Sequence, residues 1–102
     1  MIPDKIKVAG IDYEIEEVDV VILDGSTSYA GSCLYTESKI ELLKNLPKTK
    51  KEQTLVHEII HACLFEAGFN EHDEDMVNRL GIVLYQVLKD NNLNFGADKA
   101  ER

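Results

Sequence analysis

Apolar and polar residues alternate along the first part of the chain. Residues 6–8 and 11–15 carry isoleucine, valine or tyrosine at every second position, with charged residues between them. A period of two places these apolar side chains on one face of a strand. Ala9 and Gly10 lie between the two segments and suit a two-residue hairpin turn. The pattern therefore predicts an antiparallel hairpin with one buried face.

A further group of short strands is predicted before the pattern changes. The apolar run at residues 18–23 continues as a strand, and residues 24–28 form a break that is rich in turn-forming residues. Residues 32–35 and 39–43 then form a hairpin around residues 36–38. Together these segments predict a small antiparallel sheet.

The segment 50–67 has the pattern of a helix that is apolar on most sides. Thr49 and Glu52 have the spacing of a capping box at its start, and Gly68 supplies the left-handed residue that commonly ends a helix. The apolar residues that wrap the segment are Leu55, Val56, Ile59, Ile60, Cys63 and Leu64. We expect a helix of this kind to be mainly buried.

A second helix is predicted at residues 70–92. Its apolar residues recur at steps of three and four: Val77, Leu80, Leu84, Val87 and Leu88. Gly81 lies on the same face and would let two helices approach closely. The expected fold class is therefore α+β, with a small antiparallel sheet in residues 1–48 and two helices in residues 49–92.

The length and net charge of the chain exclude several classes of protein. The 102 residues suffice for one domain, 1–102, and the polar segment 95–102 is predicted to be a disordered tail. Nineteen acidic residues against eleven basic ones give a net charge of -8, which argues against a nucleic-acid surface and against attachment to an anionic membrane. The sequence has no signal segment and no apolar run of about 18 residues. We therefore expect a cytoplasmic protein that binds neither nucleic acid nor membrane.

Within the first predicted helix, residues 57–61 read His-Glu-Ile-Ile-His. Four residues along a helix are a little more than one turn, with a rise of about 6 Å, so His57 and His61 project from one face and can hold one metal ion. A catalytic zinc site uses three protein ligands and a water. Glu58 is adjacent to the first histidine, and its carboxylate can take the proton of the attacking water. The motif predicts a zinc hydrolase, against the alternative of a chance pair of histidines on a solvated helix face.

The third ligand is expected from the second helix. Glu74 lies three residues before Val77, so its carboxylate is expected to face the core beside the imidazoles. Glu71 lies about one turn earlier on roughly the same side and is the serious rival. Periodicity and helix-end preferences assign the other nearby polar residues to solvent or to a helix terminus: Glu66, His72, Asp73 and Asp75.

The pattern of residues 57–61 followed by Glu74-x-x-Val77-Asn78 resembles that of the gluzincin metallopeptidases. Its short spacing is most similar to the ImmA/IrrE-type metallopeptidases of bacteriophages and mobile elements. The resemblance implies a minimal zincin-like fold, a zinc ion held by the two histidines and Glu74, and hydrolysis of a protein or peptide substrate by an endopeptidase. It also places Asn78 where an amide can hydrogen-bond a ligating imidazole.

Peptidases of this kind bind extended substrate through backbone hydrogen bonds to an edge strand above the metal. The residues that match this role are Gly31, Ser32, Cys33, Leu34 and Tyr35. An ordinary edge strand without a substrate is an equal interpretation of the same segment.

The residue that would stabilise the developing oxyanion is left open among Tyr29, Tyr35, Tyr85 and His72. Larger gluzincins bring such a residue from a further domain. The alternative function is therefore a catalytically weak or inactive zinc-binding module with a structural or interaction role. A metal-free phage adaptor protein with an accidental motif is the third hypothesis.

Overall fold

The chain forms a four-stranded sheet followed by two helices. The computed structural model describes residues 2–93 and residue 95. In chain order the elements are β1 (Lys5–Val8), β2 (Ile11–Val18), β3 (Gly31–Leu34), a 3-10 turn (Tyr35–Glu37), β4 (Lys39–Leu43), α1 (Lys48–Glu66) and α2 (Glu74–Asp90). The predicted α+β class is confirmed. Apart from Phe95, the segment that was predicted to be a disordered tail lies outside the described residues.

The sheet has the strand order β1-β2-β4-β3. β1 and β2 form the predicted hairpin, in which Ala9 (φ 52°) and Gly10 (φ 80°) both adopt the positive φ values of a type I′ turn. β3 and β4 form the second predicted hairpin. β2 and β4 pair in parallel, with Val18 opposite Leu43. The sheet is therefore mixed, because one of its pairings departs from the expected antiparallel arrangement.

The predicted strand at residues 18–23 is wrong. In the described chain β2 ends at Val18, and a single antiparallel bridge then joins Leu23 to Ser26 around Asp24 (φ 52°) and Gly25 (φ 78°). Since β4 occupies the position beside β2, the chain that follows Val18 must leave the sheet and cross to its far edge, where β3 begins. The apolar run continues the strand pattern, but the sheet has no open position for it.

Helix α1 packs with one side on the inner face of the sheet. Tyr13, Ile40 and Leu42 of the sheet are fully buried there. They belong to one apolar cluster with Leu55 and Ala62 of α1. Large apolar side chains buried in this way are the main source of stability in a domain of this size.

The other side of α1 packs against α2. Val56 and Ile60 form a second buried cluster with Val77, against which Leu64, Leu84 and Tyr85 pack. The Tyr85 hydroxyl donates a hydrogen bond to Glu52 near the start of α1, whereas Glu74 at the start of α2 lies beside His61 further along α1. The two helices are therefore antiparallel, and α1 is the middle layer of the domain. Neither helix of the described chain has the length and apolar run that a bilayer crossing requires.

The inward stripe of α2 is narrower than the periodicity predicted. Val77 and Gly81 are buried, but Leu80 is 50% exposed and Leu88 is 49% exposed. Leu80 is turned by about 60° from Val77 around the helix, since three residues rotate the side chain by about 300°. Leu88 lies beyond Tyr85, which already reaches the first turns of α1. A helix that contacts one neighbour buries a single line of side chains, and the remaining apolar residues stay at the surface.

Both helix starts differ from the prediction. α1 begins at Lys48 after Pro47 without a side-chain cap, so the predicted capping box of Thr49 and Glu52 is wrong. Pro47 fixes the φ angle at the helix start, and Glu52 is turned towards α2 instead. α2 begins later than predicted, because the Asp73 side chain accepts a hydrogen bond from the Met76 amide at 3.1 Å and caps the helix there.

We predict that alanine stabilises the protein at Gly81 and destabilises it at Gly31. A methyl group at Gly81 would lie 3.5 Å from His57 Cα, which is ordinary van der Waals contact. Because alanine is favoured over glycine inside a helix, Gly81→Ala should raise the free energy of unfolding by up to about 1 kcal/mol. The same group at Gly31 would lie 2.8 Å from Thr54 Cγ2 and 3.1 Å from the Glu41 carbonyl oxygen. Gly31→Ala should therefore lower this free energy by about 1 to 3 kcal/mol.

Urea denaturation of the two matched variants measures both effects. A loss of stability in Gly81→Ala, or an unchanged stability in Gly31→Ala, would contradict the described packing of these glycines against α1.

Candidate metal centre

Three side chains from two helices meet at the open end of the contact between α1 and α2. His57 and His61 lie one turn apart on α1, and Glu74 is the first residue of α2. The Nε2 atom of His57 lies 2.7 Å from Glu74 Oε1, and the Nε2 atom of His61 lies 3.0 Å from Glu74 Oε2. One ligand atom from each residue lies within 4.8 Å of the others. The structure thus brings together the three residues that were predicted as metal ligands.

This donor set fits a divalent metal ion. Two imidazole nitrogens and one carboxylate oxygen are donors that zinc and similar ions prefer. Ligand atoms around a tetrahedral zinc ion are about 3.4 Å apart, given bond lengths of about 2.0–2.1 Å. The Glu74 side chain is 69% exposed, so it is free to rotate by the small amount that this spacing needs. In the described part of the chain, no second group of this kind is found.

Glu74 lies at the rim of the cleft and not in the core as the sequence pattern predicted. It is exposed because α2 begins at this residue, before the buried contact at Val77. The positive end of the helix dipole is located there and favours a carboxylate. The sequence pattern therefore predicted on which face of α2 Glu74 lies, but it did not predict how exposed the Glu74 side chain is.

The competing acidic residues have other partners or lie in solvent. Glu71 is exposed and lies outside the cluster of possible ligands. Glu66, which was expected in solvent, accepts a hydrogen bond of 2.6 Å from the buried Tyr13 hydroxyl. Asp75 forms an ion pair with Arg79 on the surface of α2. None of these three residues competes with Glu74 for the imidazoles.

Glu58 is buried in the wall of the same cleft, with 7% of its surface exposed. The cleft has a volume of about 500 Å³ and is also lined by His57, His61 and Glu74. Burial raises the pKa of the Glu58 carboxyl to about 8, and the negative charge of Glu74 adds to the shift. A carboxyl with such a pKa can accept and release a proton near neutral pH.

His72, which periodicity assigned to the surface, is half-buried against His61. The two Nδ1 atoms lie 2.7 Å apart, and the ring centroids are 5.0 Å apart with the ring planes inclined by 23°. His72 Nε2 lies 2.8 Å from the Phe69 carbonyl oxygen. Burial lowers the pKa of His61, although the charge of Glu74 opposes this effect. The neutral imidazole that results is the form that binds a metal.

The helical period misses His72 because this residue lies in the loop before α2. One signal in the sequence does indicate it, since all three histidines of the chain fall between residues 57 and 72. Asn78, the predicted partner of a ligating imidazole, lines the cleft. Within the described residues, its amide donates no hydrogen bond to His57 or His61.

The structure separates the candidates for oxyanion stabilisation. Tyr29 and Tyr35 line the cleft, whereas Tyr85 is turned to Glu52 on the far side of α1. The Tyr35 ring stacks on Phe65 with centroids 4.6 Å apart. Burial raises the pKa of the Tyr35 hydroxyl to about 12, so this group stays protonated and can donate a hydrogen bond. Tyr35 combines a fixed ring with a position in the cleft.

Strand β3 forms the wall of the cleft beside Glu58. Of the predicted substrate-edge residues, Gly31, Ser32, Cys33 and Tyr35 line the cleft and Leu34 lies outside it. Tyr35 belongs to the turn that follows the strand. A Cβ atom at Gly31 would lie 3.4 Å from Glu58 Cγ, so a glycine here lets the strand approach the buried carboxyl.

The register of β3 determines which backbone groups are free. The Leu43 amide donates to the Ala30 carbonyl at 2.8 Å, so Ala30 and Leu43 form a hydrogen-bonded pair. Such pairs alternate along an antiparallel ladder, and therefore Ser32 also bonds to β4. The amide and carbonyl groups of Gly31 and Cys33 face the open edge of the sheet, because β3 is its last strand.

A family model described as SprT-like family matches residues 8–80, which include the sheet, α1 and the first part of α2. Comparisons with curated proteins and with solved structures give no significant match.

We predict that one divalent metal ion binds per chain through His57, His61 and Glu74. Zinc titration against a chromophoric chelator measures the affinity. Loss of a group that hydrogen-bonds a metal ligand typically weakens metal binding by about 10- to 100-fold. Glu74→Ala should weaken zinc binding by more than this, because it removes a charged ligand. Glu71→Ala is the matched control and should leave the affinity unchanged. Loss of zinc in the Glu71 variant alone would contradict this ligand set.

We also predict that the metal-free protein loses stability as the pH rises towards 8. The Glu58 carboxyl has a pKa of about 8 in the fold against 4.5 for an unperturbed glutamate. The protonated form therefore stabilises the fold, fully below pH 4.5, and this contribution is lost as the pH rises through about 8. The slope should reach about 1.4 kcal/mol per pH unit.

Urea denaturation with a chelator, between about pH 6.5 and 8.5, measures this slope in the wild type and in Glu58→Gln. The difference between the two proteins reports the titration of the Glu58 carboxyl, because glutamine does not titrate. Equal slopes would show that the buried carboxyl is not the origin of the pH dependence.

Proposed function

The chain belongs to the SprT-like family, which is related to the zincin-like metallopeptidases, and on this basis we propose that it is a zinc-dependent peptidase with Glu58 as general base. The observation that carries the proposal is the position of Glu58. Its buried carboxyl lines the cleft beside His57, His61 and Glu74, where it can reach a water molecule held at the metal centre.

Zinc is the metal that this donor set suits best among the common biological ions. Two imidazoles and one carboxylate form the three-ligand set of many catalytic zinc sites, and they leave one position open. When bound, zinc lowers the pKa of a water molecule to about 7 and polarises a carbonyl group. His57, His61 and Glu74 would hold the ion.

Glu58 performs the proton transfers in this proposal. Its carboxylate accepts a proton from the attacking water and then gives that proton to the nitrogen of the leaving amine. The surrounding wall excludes solvent and keeps the carboxyl close to the reacting groups, since only 7% of Glu58 is exposed. The carboxyl must act first as base and then as acid, and in the metal-free protein burial already holds its pKa above the ordinary value for a glutamate.

The substrate in this proposal is an extended segment of a protein or peptide. The free backbone groups of Gly31 and Cys33 at the edge of β3 can pair with the backbone of such a segment. Gly31 has no side chain to hold the segment away from Glu58. The Tyr35 hydroxyl, which remains protonated, can donate to the carbonyl oxygen of the substrate as negative charge develops on it.

The finer predictions from the sequence are part of this proposal. The likeness to ImmA/IrrE-type peptidases, an origin in a phage or mobile element, endopeptidase specificity and a cytoplasmic location all remain predictions. The family match supports a zincin-like metallopeptidase relationship at the coarser level.

A second function is favoured by one observation. α2 buries only Val77 and Gly81 among its described residues, and Glu74 attaches its first turn to both imidazoles of α1. A metal ion at this position would therefore hold the two helices together. In this second proposal the protein is a zinc-stabilised module with a structural or interaction role, and Glu58 has no catalytic part.

Glu58→Gln separates the two functions. Glutamine has nearly the same shape but does not act as a base, so the variant should keep its zinc affinity and lose peptide hydrolysis by at least about 100-fold. A proteome-derived peptide library, analysed by mass spectrometry after incubation with the zinc-loaded protein, measures the cleavage.

Glu71→Gln is the matched control and should cleave the library as the wild type does. Equal cleavage by Glu58→Gln and wild type would refute the assignment of Glu58. Zinc binding by the wild type without any cleavage would favour the structural module.

A further inference from the structure

We propose that His72 is a positioning residue: it holds the His61 imidazole, through its Nδ1 atom, in the orientation and tautomer that present Nε2 to the metal. This inference rests on the proposed metal centre and goes beyond it, because His72 is not one of the proposed ligands. Its basis is the 2.7 Å contact between the two Nδ1 atoms and the 2.8 Å contact between His72 Nε2 and the Phe69 carbonyl oxygen.

The hydrogen-bond partners determine the direction of the contact. The Phe69 carbonyl only accepts, so His72 Nε2 carries a proton and donates it. A neutral His72 then has no proton on Nδ1, which is therefore an acceptor. His61 must donate from its own Nδ1. In the metal-free protein the Nε2 atom of His61 lies 3.0 Å from the Glu74 carboxylate, which accepts a hydrogen bond from it. A metal ion would take the place of the Nε2 proton, and the Nδ1–H group would remain to donate to His72.

The loop that carries His72 is fastened to the end of α1. The Phe69 amide donates to the Leu64 carbonyl at 2.9 Å, and the Gly68 amide donates to the Phe65 carbonyl at 3.0 Å. Gly68 has the positive φ of 101° that this turn needs. The Phe69 carbonyl is thus fixed relative to α1, and through it His72 is fixed relative to His61.

Ring contacts restrict His72 further. Its ring plane is inclined by only 23° to that of His61, which suits a hydrogen bond in the plane of both rings. The His72 ring also meets the Tyr35 ring edge-on at a centroid distance of 5.9 Å. His57 has no comparable support, because no hydrogen-bond partner of its Nδ1 atom is found among the described residues. The orientation of the two ligand rings is therefore set in different ways, and His61 is the one that depends on a neighbour.

The test compares zinc affinity in His72→Phe and His72→Gln with that of the wild type. Phenylalanine keeps an aromatic ring between His61 and Tyr35 but accepts no hydrogen bond. We expect the zinc affinity of His72→Phe to fall by about 10- to 100-fold, as is usual when a metal ligand loses its hydrogen-bond partner. Glutamine offers an amide oxygen to the His61 Nδ1–H group and should recover most of the affinity. Glu71→Gln, changed at an exposed neighbour, should bind zinc as the wild type does.

Nuclear magnetic resonance of the zinc-loaded protein gives a readout that a merely structural role would not change. The chain has only three histidines, so their ring signals can be assigned by substitution. We expect a slowly exchanging Nδ1 proton on His61 in the wild type and in His72→Gln. The same proton should exchange rapidly in His72→Phe, at an unchanged thermal unfolding midpoint of the metal-free protein.

The outcomes distinguish the inference from the function on which it rests. No zinc binding by the wild type would overturn the metal centre and this inference together. Zinc binding by the wild type with equal affinity in His72→Phe would overturn the positioning role alone. A zinc-induced shift of a His72 ring nitrogen as large as that of His57 would make His72 a ligand, and would also overturn it.

Discussion

The position of α1 between two apolar surfaces is the constraint on which the rest of the structure depends. The sheet buries one side of the helix at Leu55 and Ala62, and α2 buries another side at Val56 and Ile60. Between these two surfaces, one strip of α1 lines the cleft together with β3 and the start of α2. Residues 57–61 supply that strip with two imidazoles and one carboxyl.

Two glutamates in this cleft have different environments and therefore suit different roles. Glu58 is 7% exposed, and burial raises the pKa of its carboxyl to about 8 in the metal-free protein. The Glu74 side chain is 69% exposed and lies at the positive end of the dipole of α2. A carboxyl that exchanges a proton near neutral pH suits acid and base chemistry, whereas a solvated carboxylate at a helix start suits ligation. The environment, and not the residue type, separates the two functions.

The part of the site that depends on local helix geometry could be predicted from the sequence. The four-residue spacing of His57 and His61 and the phase of Glu74 both follow from 3.6 residues per turn. His72 was assigned to solvent because the predicted helix 70–92 included it, whereas it lies in the loop before α2, where the helical period does not apply. The parallel pairing of β2 with β4 was not predicted, since it depends on which strand fills the central position of the sheet. Side-chain periods carry no information on that choice.

The base and the metal ligands belong to different structural contacts. Glu58 lies against the edge of β3, where only the absence of a side chain at Gly31 allows the approach. The ligand set instead spans α1 and α2, and among the described residues of α2 only Val77 and Gly81 are buried. A displacement of α2 would therefore separate Glu74 from the imidazoles and leave the base in place against the sheet. It follows that metal binding depends on the docking of α2, whereas the environment of the base is set largely by the β3 wall.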